Sequence, residues 1–213
     1  MADALALAIA GEPMVAHADR ALFWPARRRL LIADLHLGKG DVFRAAGVAL
    51  PSGGTAGDLA RLARLVAATE AQALWILGDL FHGDPGHRRW REAWDAWRSA
   101  HPALRIAALR GNHDRRRGDA GLDIELLGDA EADGPFLFRH DPQPDPARHV
   151  VCGHLHPALR LPGLRALPAF WLRPGITVLP AFSAFTGGHR IDAGADDRFL
   201  VCAGDALVAV GGD

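Results

Sequence analysis

Carboxylate and imidazole residues recur along this chain in short, ordered motifs. They are Asp34-Leu35-His36, Gly78-Asp79, Gly111-Asn112-His113-Asp114 and Gly153-His154-Leu155-His156, with a lone His140 before the last. Counted as metal donors, they supply the carboxylates of Asp34 and Asp79, the amide of Asn112, and the imidazoles of His36, His140, His154 and His156. Mixed oxygen and nitrogen donors without a thiolate suit Mn²⁺, Fe or Zn²⁺ rather than a structural cysteine-rich zinc site. Two such cations about 3.5–4 Å apart generate a hydroxide at neutral pH and clamp the oxygens of an in-line phosphoryl displacement. Hydrolysis of a phosphate ester is the chemistry this inventory serves. Asp34 and His36, two apart in extended chain, are expected to point to one side of the backbone and grip one ion together, as are His154 and His156. His113 is not needed as a ligand, and Asp114 beside it is expected to fix its tautomer, a pairing suited to a general acid.

The elements that must position these residues are legible as apolar runs. Leu30 to Ala33 ends at Asp34, Leu74 to Leu77 ends at Gly78-Asp79, and Arg105 to Leu109 leads to the Gly-Asn-His-Asp motif. Each reads as a buried strand with its polar residues at the C-terminal end. Between them, Gly57 to Thr69 and Arg88 to Arg98 carry apolar residues at helical spacing, the second as Trp90, Trp94 and Trp97, which read as a packing face. Further on, Phe136 to Phe138, His149 to Cys152, Ile176 to Leu179, Arg198 to Ala203 and Ala206 to Val210 predict a mainly β second half, with Asp141 to Pro146 as a loop. The pattern predicts an α/β fold, a mixed sheet with helices outside and ligands on the loops after the strands.

The 213 residues fit a single domain, 1–213, and 49% hydrophobic content is ample for a full core. The formal net charge of −1 excludes a global basic field, so any nucleic-acid contact must be local. Lys39 is the one lysine among 24 basic residues, a bias that a GC-rich genome also produces. Cys152 and Cys202 sit in apolar runs and form no disulfide framework, which suits a reducing cytoplasm. No secretory signal or membrane span is evident, so no membrane partner is expected.

The ordered motifs resemble those of the calcineurin-like metallophosphoesterase superfamily, whose pattern is complete from Asp34 to His156. That resemblance implies a four-layer α/β/β/α sandwich carrying two divalent ions. It places one ion on Asp34, His36, Asp79 and His156, and the other on Asp79, Asn112, His140 and His154, with Asp79 bridging and His113 acting on the leaving group. His149 competes with His140 for the isolated histidine. A finer resemblance, in Ala33 to Lys39 with Phe43-Arg44, Pro51-Ser52-Gly53, Leu179 to Phe182 and Phe185 to Gly188, is to the PdeM family of bacterial ligase-associated DNA damage response endonucleases. It implies a Mn²⁺-dependent phosphodiesterase and single-stranded DNA endonuclease, associated with an ATP-dependent DNA ligase, a helicase and a nuclease.

Beyond the ligands, Lys39, Arg44, His82, Arg110, Arg115 and Arg116 are candidate substrate contacts, by nearness to the motifs and, for the arginines, by their fit to phosphate. Phe182 and Phe185 read as core residues ahead of base-stacking ones. Alternative activities are a phosphatase or small-molecule nucleotide phosphodiesterase of the same superfamily, and a non-catalytic scaffold of a repair complex. The first usually needs a cap or insertion that is not evident here, and the second would have lost ligands.

Overall fold

The chain opens with an antiparallel meander, β1 (Ala4–Ile9), β2 (Glu12–His17) and β3 (Ala21–Trp24), that leads into β4 (Arg29–Ile32). In the computed structural model, residues 3–49, 54–82, 88–114, 121–161, 163–191, 194 and 196–211 are described. The hairpin of β1 and β2 closes through Ala10 and Gly11, both at positive φ (50° and 82°), the loop geometry whose twist matches that of paired strands. From β4 the chain continues through α1 (Lys39–Ala45), α2 (Gly54–Thr69), β5 (Ala73–Ile76), α3 (Arg88–Ala100), β6 (Arg105–Ala108) and β7 (Glu125–Leu126). The first sheet has the order β1 to β7, and β4 through β7 pair in parallel.

The second half is strand-rich, as its sequence predicts: β8 (Ala130–Asp133), β9 (Phe136–Arg139), β10 (His149–Cys152), β11 (Pro157–Arg160), β12 (Ala166–Arg173), β13 (Ile176–Val178), β14 (His189–Arg190), β15 (Arg198–Ala203) and β16 (Ala206–Val210). They form the second sheet, in the order β14-β11-β12-β13-β10-β9-β8, with the β15–β16 hairpin joined to β12. β10 lies between β9 and β13 and is parallel to both.

Alternation along β4 divides its side chains between two cores. Leu30 and Ile32 face Leu59, Leu62 and Leu65 of α2 and Trp90, Trp94 and Trp97 of α3, all buried in one cluster. Leu31 and Ala33 face the second sheet, where Trp24, Phe136, Phe138, Val151, Phe170 and Leu200 fill the space between the sheets. The three tryptophans are the packing face their spacing predicts, and the Trp94 indole N–H donates to Leu122 O at 3.2 Å. Replacing Trp94 by alanine would cost about 3–5 kcal/mol of stability. The three α-helices among the described residues fall between β4 and β6. The outer face of the second sheet carries the small clusters around Val150 and Phe199, and no described helix covers it. The mixed α/β fold with two sheets agrees with the sequence; the described layers are helix, sheet and sheet. Among the described residues no helix is long and apolar enough to cross a membrane. Both cysteines are buried and unpaired.

Candidate metal centre

The C-terminal ends of β4, β5 and β6 in the first sheet and of β9 and β10 in the second converge on one surface. Each is followed by one of the motifs. Backbone bonds knit the first two loops together: Asp34 N to Gly78 O (3.2 Å), His36 N to Asp79 O (2.9 Å) and Leu37 N to Leu80 O (2.8 Å). Gly78 (φ 84°) leaves no room for a side chain, because a Cβ there would collide with the His140 ring; a Cβ on Gly111 would strike Asp79. These glycines let the loops approach closely enough for the donors to meet.

The local backbone departs from the extended chain expected for the two His pairs. Asp34 (φ 56°), His36 (49°), Asp79 (49°), His154 (71°) and His156 (48°) all lie in the left-handed region. For residues with a Cβ this conformation is strained, and strain of that kind gathers at functional sites where surrounding structure over-determines it. Asp34 and His36 do reach a common centre, by an αL turn rather than by strand alternation, whereas His154 and His156 do not share one: His156 turns to Asp34 and His154 to His140.

Two groups of donors result. Asp34, His36 and His156 form one, and Asp34, Asp79 and His140 another, with ligand atoms within 4.8 Å of each other in each group. His156 Nε2 lies 3.1 Å from Asp34 Oδ1. Yet these two atoms, together with both ring nitrogens of His36, are buried without a hydrogen-bond partner among the described residues. A buried polar atom left unpaired costs about 1–3 kcal/mol. One atom each from Asp34, His36 and His156 lies within 4.8 Å of the others, an arrangement a cation fits, and the donor types are those of a divalent metal.

The second group is connected differently. His140 Nδ1 bonds Leu77 O at 2.9 Å, which turns Nε2 toward Asp79 Oδ2 (3.5 Å) and His154 Nδ1 (3.1 Å). A histidine held this way presents a fixed nitrogen to a metal. The Asn112 amide lies 3.2 Å from His154 Nδ1, and His154 Nε2 is 3.9 Å from Asp141 Oδ1. The geometry selects His140 over His149, which bonds Thr177 Oγ1 at 2.9 Å at the start of β10, away from the cluster at its end.

Burial, and then the charge of Lys39, hold the His36 imidazole down at about 3. Burial also opposes protonation of His140, but its bond to Asp79 and the charges of Asp34 and Asp79 overcome it and push it up to about 9. Asp79 is held below the usual carboxylate range despite its burial, by His140 and by the His113 N–H, which donates to Oδ1 at 3.0 Å.

His113 stands at the rim with its side chain 50% exposed, Nε2 3.9 Å from Asp79 Oδ2 and its ring 5.1 Å from that of His82. Asp114 is not engaged with the His113 ring as expected. Its carboxylate accepts the backbone N–H groups of Gly111 (2.9 Å), Leu80 (3.1 Å) and Phe81 (3.1 Å). Three amide donors point at it, so it ties the Gly-Asn-His turn to the loop after β5. Burial raises the Asp114 carboxyl's pKa, against those three bonds.

The candidate substrate contacts fall into different places. His82 packs edge-on against His36, with ring centroids 5.3 Å apart, so it lines the cluster. The Lys39 ammonium donates to Thr186 Oγ1 at 3.0 Å and is partly buried, which lowers its pKa. Arg44 is turned onto Asp41 within α1, at 2.6 Å. Arg110 pairs with Asp129 at 3.0 Å on an exposed edge. Arg115 and Arg116 lie outside the described residues, as do Pro51, Ser52 and Gly53. Phe182 is fully buried, a core residue as read from the sequence.

Sequence reasoning missed the buried support under this loop. Phe182 N donates to Ala33 O (2.8 Å) and Ser183 N to Asp34 O (3.2 Å), so the loop after β13 is tied directly to a ligand's backbone. Asp58 accepts from Ala184 N and Arg61, both at 3.0 Å, Arg61 donates to Phe182 O, and Arg20 donates to Ala181 O and Ser183 O. An aspartate within an otherwise apolar helix face was the signal available. Asp141 was likewise read only as the start of a loop.

A model of the family described as calcineurin-like phosphoesterase matches residues 27–146. The crystal structure of Pseudomonas putida nuclease MPE is similar over 97% of this chain and 100% of that one, at 36% identity and a TM-score of 0.85. Yfce, a phosphoesterase from E. coli, aligns over 86% of this chain and 98% of its own at 15% identity and a TM-score of 0.49. A protein of unknown function from Aquifex aeolicus, AQ665, aligns over 60% and 78% at 18% identity and a TM-score of 0.43. No curated protein matches the chain. The family match ends before the Gly-His-Leu-His motif, and the fold brings that motif onto the same donors. The chain therefore belongs to the calcineurin-like phosphoesterase family, as a metal-dependent phosphoesterase.

Proposed function

We propose that this protein is a Mn²⁺-dependent phosphodiesterase that cleaves single-stranded DNA as an endonuclease in bacterial DNA repair. The observation that carries the reading is an exposed strand-end surface on which Asn112, His113 and His154 face solvent beside the buried donors. An open rim admits an internal phosphodiester of a polymer. The similarity to a solved structure titled a nuclease supports the same choice.

Asp34, His36, Asp79 and His156 would hold one ion, and Asp79, Asn112, His140 and His154 the other. Two divalent cations there supply Lewis-acid activation of water and charge neutralisation at the phosphate. The remaining work belongs to the chain. The His113 imidazole, half-exposed and placed by its backbone bond to Asp79, gives a proton to the leaving oxygen. Asp114 is a positioning residue that fixes the turn bearing Asn112 and His113. Lys39, steadied by Thr186, faces a phosphate oxygen. The reading assigns the enzyme to the cytoplasm, in functional association with an ATP-dependent DNA ligase, a helicase and a nuclease; the strings at Lys39 and Phe185 to Gly188 support it.

Turnover with Mn²⁺ on circular single-stranded DNA, bis-aryl phosphodiester, cyclic nucleotide and mononucleotide tests the reading. Linearisation of the circle, at a rate well above cyclic-nucleotide or monoester hydrolysis, is expected. An enzyme that prefers mononucleotides and spares the circle would instead be a phosphatase or nucleotide diesterase.

A further inference from the structure

Beside Asn112 the surface opens into a groove of about 460 Å³ lined by Arg110, Asn112, Asp129, Arg139 and Asp141. Arg110 follows β6 of the first sheet, and Arg139 ends β9 of the second, so the two guanidinium groups flank the groove from opposite sheets. Asn112 belongs to the donor cluster, which makes this groove continuous with the place where the ester reacts.

The two arginines are held lightly. Arg139 donates one N–H to Gln143 Oε1 at 3.0 Å, while its buried Nε has no hydrogen-bond partner among the described residues. Among the described residues the Arg110 side chain is tied only to Asp129, in a pair with side chains 50% and 80% exposed, a kind of contact worth little in water. Asp141 faces the His154 ring, 3.9 Å away, so its charge is directed at that imidazole. A half-buried and an exposed guanidinium on the walls of one polar groove suit a phosphate oxygen, which accepts from an arginine fork.

We propose that this groove binds the phosphate next to the one being cleaved, through Arg139 and Arg110, and so selects a polynucleotide strand over a small ester. The proposal rests on the DNA reading above. It adds a direction: the strand leaves the centre on the Asn112 side. Arg139 thereby acquires a role as a specificity residue that its position before His140 does not by itself reveal.

The test compares wild type, Arg139→Gln, Arg139→Lys and Arg110→Gln. Affinity of the metal-free protein for a fluorescent single-stranded oligonucleotide is measured by anisotropy across a salt series, and kcat/KM with Mn²⁺ on oligonucleotide and on bis-aryl phosphodiester. For a single strand, log affinity falls with log salt by about 0.7 per phosphate neutralised, so each Gln variant should show a slope shallower by about that amount. The ratio of oligonucleotide to aryl-ester kcat/KM should fall about tenfold in Arg139→Gln, one tenfold step corresponding to 1.36 kcal/mol. Arg139→Lys should keep the wild-type slope with weaker binding, since it retains charge but not the fork. Unchanged slopes in both Gln variants, or equal losses on both substrates, would overturn the proposal. Exposed Arg110 guards against a folding artefact at Arg139. Wild type that hydrolyses the aryl diester yet neither binds nor cuts DNA would sink the DNA reading itself, whereas DNA cleavage with unaltered variant slopes would remove only the groove.

Discussion

Asp34, His36 and His156 meet under cover, whereas Asn112 and His154 meet in the open. At the first pole Asp34 is 0% and His36 2% exposed, and four donor atoms lack hydrogen bonds among the described residues. At the second, Asn112 is exposed and His154 half-buried above the buried His140, and the donors touch each other and Asp141. The difference follows from what covers them. The loop after β13 closes on Asp34 through Phe182 and Ser183, supported by Asp58, Arg61 and Arg20. No comparable segment is described over Asn112. A dry, unpaired set of donors gains most from a cation, because nothing else satisfies it; an exposed set exchanges its ion and admits substrate.

The largest effect should come from Asp79, which the proposed ligand sets give to both ions. Asp79→Ala is expected to lower phosphodiesterase activity by about 10³-fold, the upper end for losing one electrostatic stabiliser, and to reduce bound metal at both poles. Elemental analysis of the purified variant checks this; retention of two ions would show that Asp79 bridges nothing.

Next in size is His113, which stands at the rim and is assigned no metal. His113→Ala should keep both ions and lose about 10²-fold on diesters with alkyl leaving groups, with a much smaller loss on nitrophenyl esters that depart without a proton. Loss of metal in this variant would move His113 from acid to ligand.

The comparison itself is tested by Mn²⁺ titration calorimetry. Two binding steps are expected, separated by about 10–100-fold, the range in which a metal's surroundings tune its affinity. His36→Ala should abolish the tighter step and His154→Ala the weaker. The reverse assignment would refute the idea that the covered pole is the strong one.

Proton binding by the metal-free protein gives the smallest effect and separates the poles by sign. His140, pushed up from 6.5 to about 9, contributes stability below pH 6.5 that is lost as pH rises through 9. His36, pulled down to about 3, behaves oppositely: the unfolded chain takes up its proton first, so stability is lost as pH falls below 6.5. At pH 6, imidazole NMR should find His140 charged and His36 neutral. His36 titrating near 6.5 would mean that its pole is wet. The high-pH loss in melting temperature should vanish in His140→Gln.

Much of the architecture was legible along the chain. β10, β15 and β16 match their apolar runs to the residue, and β4, β5, β6 and β13 within one or two. These are central or well-alternating strands, where burial on both faces or strict alternation leaves a clear pattern. β8, β11 and β14 were not legible, being short, polar or edge strands whose partners lie far away in sequence. β12 carries Pro168, which argues against a strand until β11 and β15 are there to pair with it. Helix α2 begins at Gly54, three residues before its predicted start, since small residues give no periodic signal.

The candidate centre divides in the same way. Residue types, order and spacing determined which side chains can act as donors and that a phosphate ester is their chemistry, because each motif needs particular functional groups at fixed separations. Only the tertiary structure decided how they meet. It set five of them in left-handed backbone, chose His140 over His149, gave Asp114 to three backbone amides, and buried one pole while leaving the Asn112 edge of the other open. Those outcomes depend on contacts between strand ends from two different sheets, and no local spacing encodes the closeness of segments over a hundred residues apart.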